Sequence, residues 1–396
     1  MKPNYKQTVI AGFLGISNQA VITNVTAVLF VHFMLLYDFQ LWQLGVLVGV
    51  NFGFQMLADI LLTFLVDRIG FRPLVLTACG ISVGGLLLYG LLPLFVPADG
   101  MFYAVMAATS VFAFASGMCE VLLSPIIDNL PDDFHSKETA MSLMHSFYAW
   151  GQVFCVVTTS LYLRFVGSEN WGYIIMAFAA FPAIAFCLFS RSPLPKKQSD
   201  TSAEDIKRTA FSSFFIVALF AILLGGASEV LINQWVSTFL VKGLAIDKTT
   251  ADLFGMALFA VCLGLGRAIY GKFGQKWNLH LILITTSFAT FLLYLVTGIT
   301  QQGWLAIIAS VVCGFTVSLL WPGTLSITSK RFPTAGAWLF AVLAVFGDTG
   351  AMSLPMIGGF ISESMGLGTM FLIMSVAPLG AFACHLFLWK KAKTGT

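Results

Sequence analysis

Charge is what this chain has least of. Only 10% of its 396 residues are Asp, Glu, Lys or Arg, against about 25% in soluble domains. That leaves too few polar groups to cover a soluble body of this length, which excludes a water-soluble enzyme or binding module. Cysteine is sparse too: residues 79, 119, 155, 187, 262, 313 and 384 all fall inside apolar stretches, with no C-x-x-C pair. They read as small hydrophobes, so neither disulfides nor a thiolate metal site is expected. The five histidines show no metal-ligand spacing. With no metal cluster, no paired acids at a catalytic spacing and no nucleophile beside a base, the expectation is no enzyme, no metal and no cofactor. A net charge of +3 gives no basic face for nucleic acid.

What fills the chain is hydrocarbon. Hydrophobic residues make up 58% of it and the mean hydropathy is +0.89. A bilayer core needs about 20 apolar residues per helix. Runs of that kind, broken at polar or Gly/Pro clusters, predict twelve spans near 8–36, 42–66, 74–95, 101–127, 139–165, 171–189, 210–240, 251–271, 279–300, 304–328, 334–361 and 367–389. The start, Met1-Lys-Pro-Asn-Tyr-Lys6, superficially resembles a signal peptide. Its apolar run continues past Phe30 without a small-residue cleavage site, so it reads as a retained first span.

The cations orient these spans. With the N-terminus inside, the inner segments carry Lys2, Lys6, Arg68, Arg72, Lys137, Arg191, Lys196, Lys197, Lys207, Arg208, Lys272, Lys276, Lys330, Arg331, Lys390, Lys391 and Lys393, which is 17 of the 21. Both termini are then cytoplasmic, in a multi-pass protein of the inner (plasma) membrane. The polar stretch 190–209 falls at mid-chain and is too polar and too short to form a core of its own. It reads as a cytoplasmic linker between an N-terminal six-helix bundle, 1–189, and a C-terminal one, 210–396. An internal repeat supports the division. Asp67-Arg-Ile-Gly-Phe-Arg72 after the second span and Gly271-Lys-Phe-Gly-Gln-Lys276 after the eighth lie 204 positions apart. Glycine suits a tight turn there, the cations stay inside, and parallel six-helix halves are a known transporter layout.

These residues resemble the major facilitator superfamily. Asp-Arg-x-Gly-x-Arg is its loop signature, with Thr63 standing where the pattern has glycine. The resemblance covers the whole chain and implies the major facilitator fold: an all-α membrane protein of twelve transmembrane helices in two six-helix bundles. Within it, Glu120-Val-Leu-Leu-Ser-Pro125 and Met141-Ser-Leu-Met-His-Ser-Phe-Tyr-Ala-Trp-Gly151 are similar to the fourth and fifth helices of the fucose/galactose/glucose–proton symporters and of the sodium-dependent glucose transporter branch. Gly226-Ala-Ser-Glu-Val230 with Trp235, and Trp321-Pro322 with Thr324, are similar to their seventh and tenth helices. That family implies an acid on helix four for proton coupling, where Glu120 falls, and another on helix one for sugar binding. Helix one here has no acid; it offers Ser17-Asn-Gln19 and Thr23-Asn-Val-Thr26.

A charged side chain at mid-bilayer costs about 2.5–3.5 kcal/mol on insertion scales, so Glu120 and Glu229 are the candidate transport acids. By the resemblance, helices one, four, seven and ten line the cavity. The expected solute contacts are Asn18, Gln19 and Asn24, whose amides both donate and accept, with Glu229, Asn233, Gln234, Trp235 and Trp321. Each has a plainer alternative: interhelical hydrogen bonding for the amides, an ion pair with Arg267 for Glu229, a membrane-belt position for Trp235. Proton coupling is assigned to Glu120, Glu229 and His145, the last as a possible relay or a packing histidine. The gate is assigned to Asp59, Asp67, Arg68, Arg72 and Lys272, while Asp348 stays open. Asn51 and Gln55 form an i, i+4 pair for either wall or gate.

The expected function is secondary active transport of a small hydroxylated solute, a sugar foremost, by proton-coupled alternating access. A sodium site needs several oxygen ligands, and Glu229 with Asn233 or Ser228 is a thin set, so protons are favoured over sodium. Efflux of an amphipathic drug or metabolite is the alternative, kept open by 38 Phe and 15 Met. The expected partners are the solute, the proton (or sodium) and the lipid bilayer, around a monomer.

Overall fold

The structure, a computed structural model, describes residues 5–130, 137–195 and 203–394; the side chains at 64, 67, 128, 137–143, 145, 203, 275, 337 and 394 also lie outside the described residues. Helix follows helix, with no strand among the described residues. Without water to satisfy N–H and C=O groups, a chain crossing hydrocarbon must bond them internally, and an open chain does so as a helix. The spans are α1 (Lys6–Tyr37), α2 (Leu41–Ile69), α3 (Phe71–Phe95), α4 (Met101–Asp128), α5 (Lys137–Val166) and α6 (Ser168–Arg191). After the short helix Ala203–Ala210 come α7 (Ser213–Thr238), α8 (Lys248–Phe273), α9 (Leu279–Ile299), α10 (Gly303–Arg331), α11 (Gly336–Met365) and α12 (Leu367–Lys393). Eleven stretches of the described residues are long and apolar enough to cross a membrane. The twelfth expected span coincides with α5, the most polar of the set, which carries Lys137, Glu138 and His145.

The two repeated loops turn differently. Gly70 sits between α2 and α3 at φ +82°, a conformation open to glycine and strained for other residues. Its counterpart Gly274 has φ −64° and no need of glycine for the turn. A Cβ there would instead come within 2.5 Å of the Tyr270 ring. The turn argument holds at Gly70 and is corrected at Gly274, where the constraint is packing.

The chain packs as two compact units, Met1–Phe39 with Val50–Gln198, and Gln40–Gly49 with Ser199–Thr396. In the first, Trp171 is fully buried. Its indole N–H donates to the Tyr37 hydroxyl at 3.0 Å, and its ring meets Phe33 and Tyr89 edge-on at 5.2 and 5.3 Å. A second core of Leu62, Val75, Leu122, Ile126 and Phe189 fills the other end. In the second unit, α7 packs against α11 and α12. The segment Gln40–Gly49 belongs to this body: the Leu41 N–H donates to the Glu363 carboxylate at 2.7 Å. Outward faces carry Leu, Ile and Phe in both units, as a lipid-facing surface requires.

Close helix approach supplies a test of the packing. A Cβ on Gly350 of α11 would meet the Leu223 carbonyl of α7 at 2.0 Å, whereas nothing lies within 4 Å of one on Gly80. Backbone cannot swing aside as a side chain can. Gly350→Ala should therefore destabilise by about 1–3 kcal/mol, as overpacking does, and Gly80→Ala should not. Thermal unfolding of the purified protein checks this; equal midpoints for the two variants would contradict it.

Candidate functional site

In the first unit the polar groups converge on Glu120. The side-chain amide of Gln19, on α1, donates from Nε2 to Glu120 Oε2 at 2.6 Å. From α2, the carboxylate of Asp59 comes within 4.8 Å of that of Glu120, and Asp59 is only 1% exposed. Asp59 thus lies with the mid-span acid Glu120. A ladder of hydrogen bonds runs alongside. Ser116 Oγ donates to Gln55 Oε1 at 3.2 Å, Gln55 Nε2 to Asn51 Oδ1 at 2.8 Å, and Asn51 Nδ2 to the Ile22 carbonyl at 3.1 Å. Asn51 and Gln55 therefore brace α1, α2 and α4.

The helix-one amides divide. Asn18 Nδ2 donates to Ser82 Oγ at 3.1 Å, while Asn24 Nδ2 folds back onto the Ala20 carbonyl of its own helix at 2.8 Å. Asn24 is fully buried. The carbonyl oxygens Asn18 Oδ1 and Gln19 Oε1 are buried and have no hydrogen-bond partner among the described residues. Leaving a buried acceptor unmade costs about 1–3 kcal/mol, which marks both as places where a donor belongs. The His145 side chain lies outside the described residues.

In the second unit Glu229 is paired. Arg267 Nη2 donates to both of its carboxylate oxygens, at 3.0 and 3.2 Å. The backbone explains why Arg267 stays there. Pro322 has no N–H, so it cannot give the Ser318 carbonyl the helical bond that the next residue, Gly323, gives to Leu319 at 2.7 Å. Arg267 Nε donates to that freed carbonyl at 3.1 Å. One proline thus fixes a guanidinium and the guanidinium holds the acid. The side chains are 20% and 14% exposed, so the pair is not sealed.

The Trp321 ring lies against two glycines: a Cβ on Gly347 would lie 2.3 Å from it, and one on Gly226 2.9 Å. These two glycines make its slot. Trp235, by contrast, is fully buried and donates its indole N–H to the Pro355 carbonyl at 3.1 Å. The ring is core and not a membrane-belt residue. Asn233 and Gln234 are buried at 5% and 3% exposure.

The gate residues scatter. The Asp67 side chain lies outside the described residues; Arg68 and Lys272 are exposed, Lys272 over the Phe273 ring at 5.4 Å. Arg72 is a clamp within the first unit, donating to the carbonyls of Phe189, Ser190 and Ser192 at 3.0, 2.7 and 2.6 Å, where a helix end leaves acceptors free. One cluster went unread in the sequence. Fully buried Asp252 of α8 accepts from Lys248 and, at 2.5 Å, from Ser237 Oγ of α7. Its i, i+4 spacing with Lys248 was the available signal.

The Major Facilitator Superfamily model matches residues 9–338. No curated protein sequence matches the chain. Among solved structures, the E. coli fucose:proton symporter FucP superposes with a TM-score of 0.67 at 16% identity, covering 97% of this chain and 99% of that one. The nucleoside transporter NupG gives 0.74 at 14%, covering 96% and 98%. A bacterial homolog of the human lysosomal transporter Spinster gives 0.74 at 15%, covering 98% of each. At such identities the likeness shows the fold.

The Glu229–Arg267 pair is testable by a double-mutant cycle. Removing one partner strands the other, a cost of 3–5 kcal/mol for a fully buried pair and, with partial exposure, about 2 kcal/mol here. Glu229→Gln and Arg267→Gln should each lower the unfolding midpoint, and the double variant should lose less than their sum. Additive losses would show that the contact carries no coupling.

Proposed function

The chain belongs to the major facilitator superfamily, a family of transporters, and on that premise we propose that it carries a small hydroxylated solute, a sugar foremost, together with protons. As a multi-pass membrane protein of this fold it moves a small-molecule solute across a bilayer. The finer reading rests on one arrangement: Glu120 held by Gln19 Nε2 while Gln19 Oε1 is buried without a partner among the described residues. One amide thus faces a titratable acid with its donor side and offers its acceptor side to a ligand. Sugar hydroxyls are donors of the kind Gln19 Oε1 and Asn18 Oδ1 require.

Asp59 adds the proton. Two carboxylates within 4.8 Å repel when both are charged, and a single proton between them relieves the repulsion. Taking that proton up on one side and releasing it on the other links it to solute movement. One charge moving through 100 mV is worth about 2.3 kcal/mol, enough for roughly a 50-fold solute gradient at about 1.4 kcal/mol per tenfold. Glu229, paired with Arg267, serves in this reading as the fixed pair of the second unit. Fucose and nucleosides, named for two of the structural neighbours, are both hydroxylated, which supports the solute class. We place both termini on the cytoplasmic side of the plasma (inner) membrane, with one chain as the working unit.

Glu120→Gln keeps the shape and removes the titration. In proteoliposomes it should abolish pH-driven accumulation yet retain counterflow, which needs no ion gradient. Unchanged accumulation would remove Glu120 from coupling. Thermal-shift screening identifies the solute: sugars or nucleosides should raise the midpoint. Stabilisation by hydrophobic cations alone would transfer the assignment to efflux.

A further inference from the structure

At one end of the second unit, away from the acids, lies a cavity of about 400 Å³ formed where α8 ends, α9 begins and α10 ends. Tyr270, Trp277, His280, Ser326 and Lys330 line it. His280 is partly exposed, and its Nδ1 is buried with no hydrogen-bond partner among the described residues. The first turn of α9, capped by Asn278, borders the same space, and helix N-termini favour anions.

The surrounding charge is unbalanced. Between Asp252 and Asp348 the sequence contains Arg267, Lys272, Lys276, Lys330 and Arg331 and not one Asp or Glu. Arg267 is spent on Glu229, and Lys272, Lys276 and Lys330 lie at this end. Where the repeated loop of the first half has Asp67, this one has Gly271. The nearest acids in sequence to the start of α7 are Glu204 and Asp205, and Asp205 pairs with Arg208 at 3.1 Å. No ion pair engages Lys276 or Lys330 among the described residues.

Depth selects the ligand. The cavity lies at the ends of three spans, with Trp277 46% exposed beside it, and such tryptophans mark the headgroup level. We propose that this cavity binds the phosphate of an anionic phospholipid headgroup, with Lys330 and His280 as its contacts. Basic pockets between spans hold anionic headgroups in this way. The inference stands on the second unit alone and is independent of the solute and of proton coupling.

Native mass spectrometry of the purified full-length protein tests it, with phosphatidylglycerol and phosphatidylcholine as probes. The wild type should retain phosphatidylglycerol in preference to phosphatidylcholine. Lys330→Gln should weaken that retention about tenfold, the scale of a charged hydrogen bond, and His280→Leu should weaken it too. Lys393→Gln, which removes an equal charge elsewhere, should change it about twofold or less. Matching unfolding midpoints show that the variants fold; if one does not, Ser326→Ala replaces it. Equal retention of the two lipids, or equal losses at Lys330 and Lys393, overturns the proposal. Displacement of phosphatidylglycerol by millimolar inorganic phosphate would assign the cavity to free phosphate and overturn the lipid as its source.

Discussion

A charge inside hydrocarbon must be given partners, and most of what is distinctive in this molecule follows from how it does so. Glu120 receives an amide from Gln19 at 2.6 Å. Glu229 receives a guanidinium from Arg267, and Asp252 an ammonium and a hydroxyl from Lys248 and Ser237. The three solutions differ in what they permit. Arginine carries its charge at any pH the cell meets, so Glu229 has a fixed cation beside it. The amide beside Glu120 serves either state, because its two ends donate and accept.

Backbone gaps do as much as side chains. Pro322 removes one N–H, and the carbonyl it frees becomes the seat of Arg267. Glycines at 226 and 347 admit the Trp321 ring, which no residue with a Cβ at those positions would allow without displacement. At the end of α6, Arg72 closes three carbonyls that the helix terminus leaves open. In each case a local deficit of hydrogen bonds or volume decides where a functional group comes to rest.

Much of this was legible in the sequence. Span number and the mid-span positions of the two acids follow from apolar run length and from the cost of charge, which are one-dimensional quantities. The Glu229–Arg267 pair was readable as an alternative, because few other cations lie within the spans. Trp235 was not. Its position on α7 fixes a direction, but whether that direction meets lipid, cavity or α11 depends on neighbours 120 residues away. Asn24 shows the same limit on a smaller scale, since an amide four residues from a carbonyl can satisfy itself. For Asp59, closeness to Asp67 in sequence says nothing about Glu120, which reaches it from α4.

Solute and proton meet, in this account, around a single amide. Gln19 turns one face to the carboxylates and the other to the ligand, so occupancy of either side alters what the other can hold. Wild-type proteoliposomes with no imposed ion gradient test that most directly, using the solute that stabilises the protein. Adding it outside should draw protons in with it, seen as alkalinisation of the medium at about one proton per solute. Solute entry with no change in external pH, or entry that depends on sodium instead, would contradict the account.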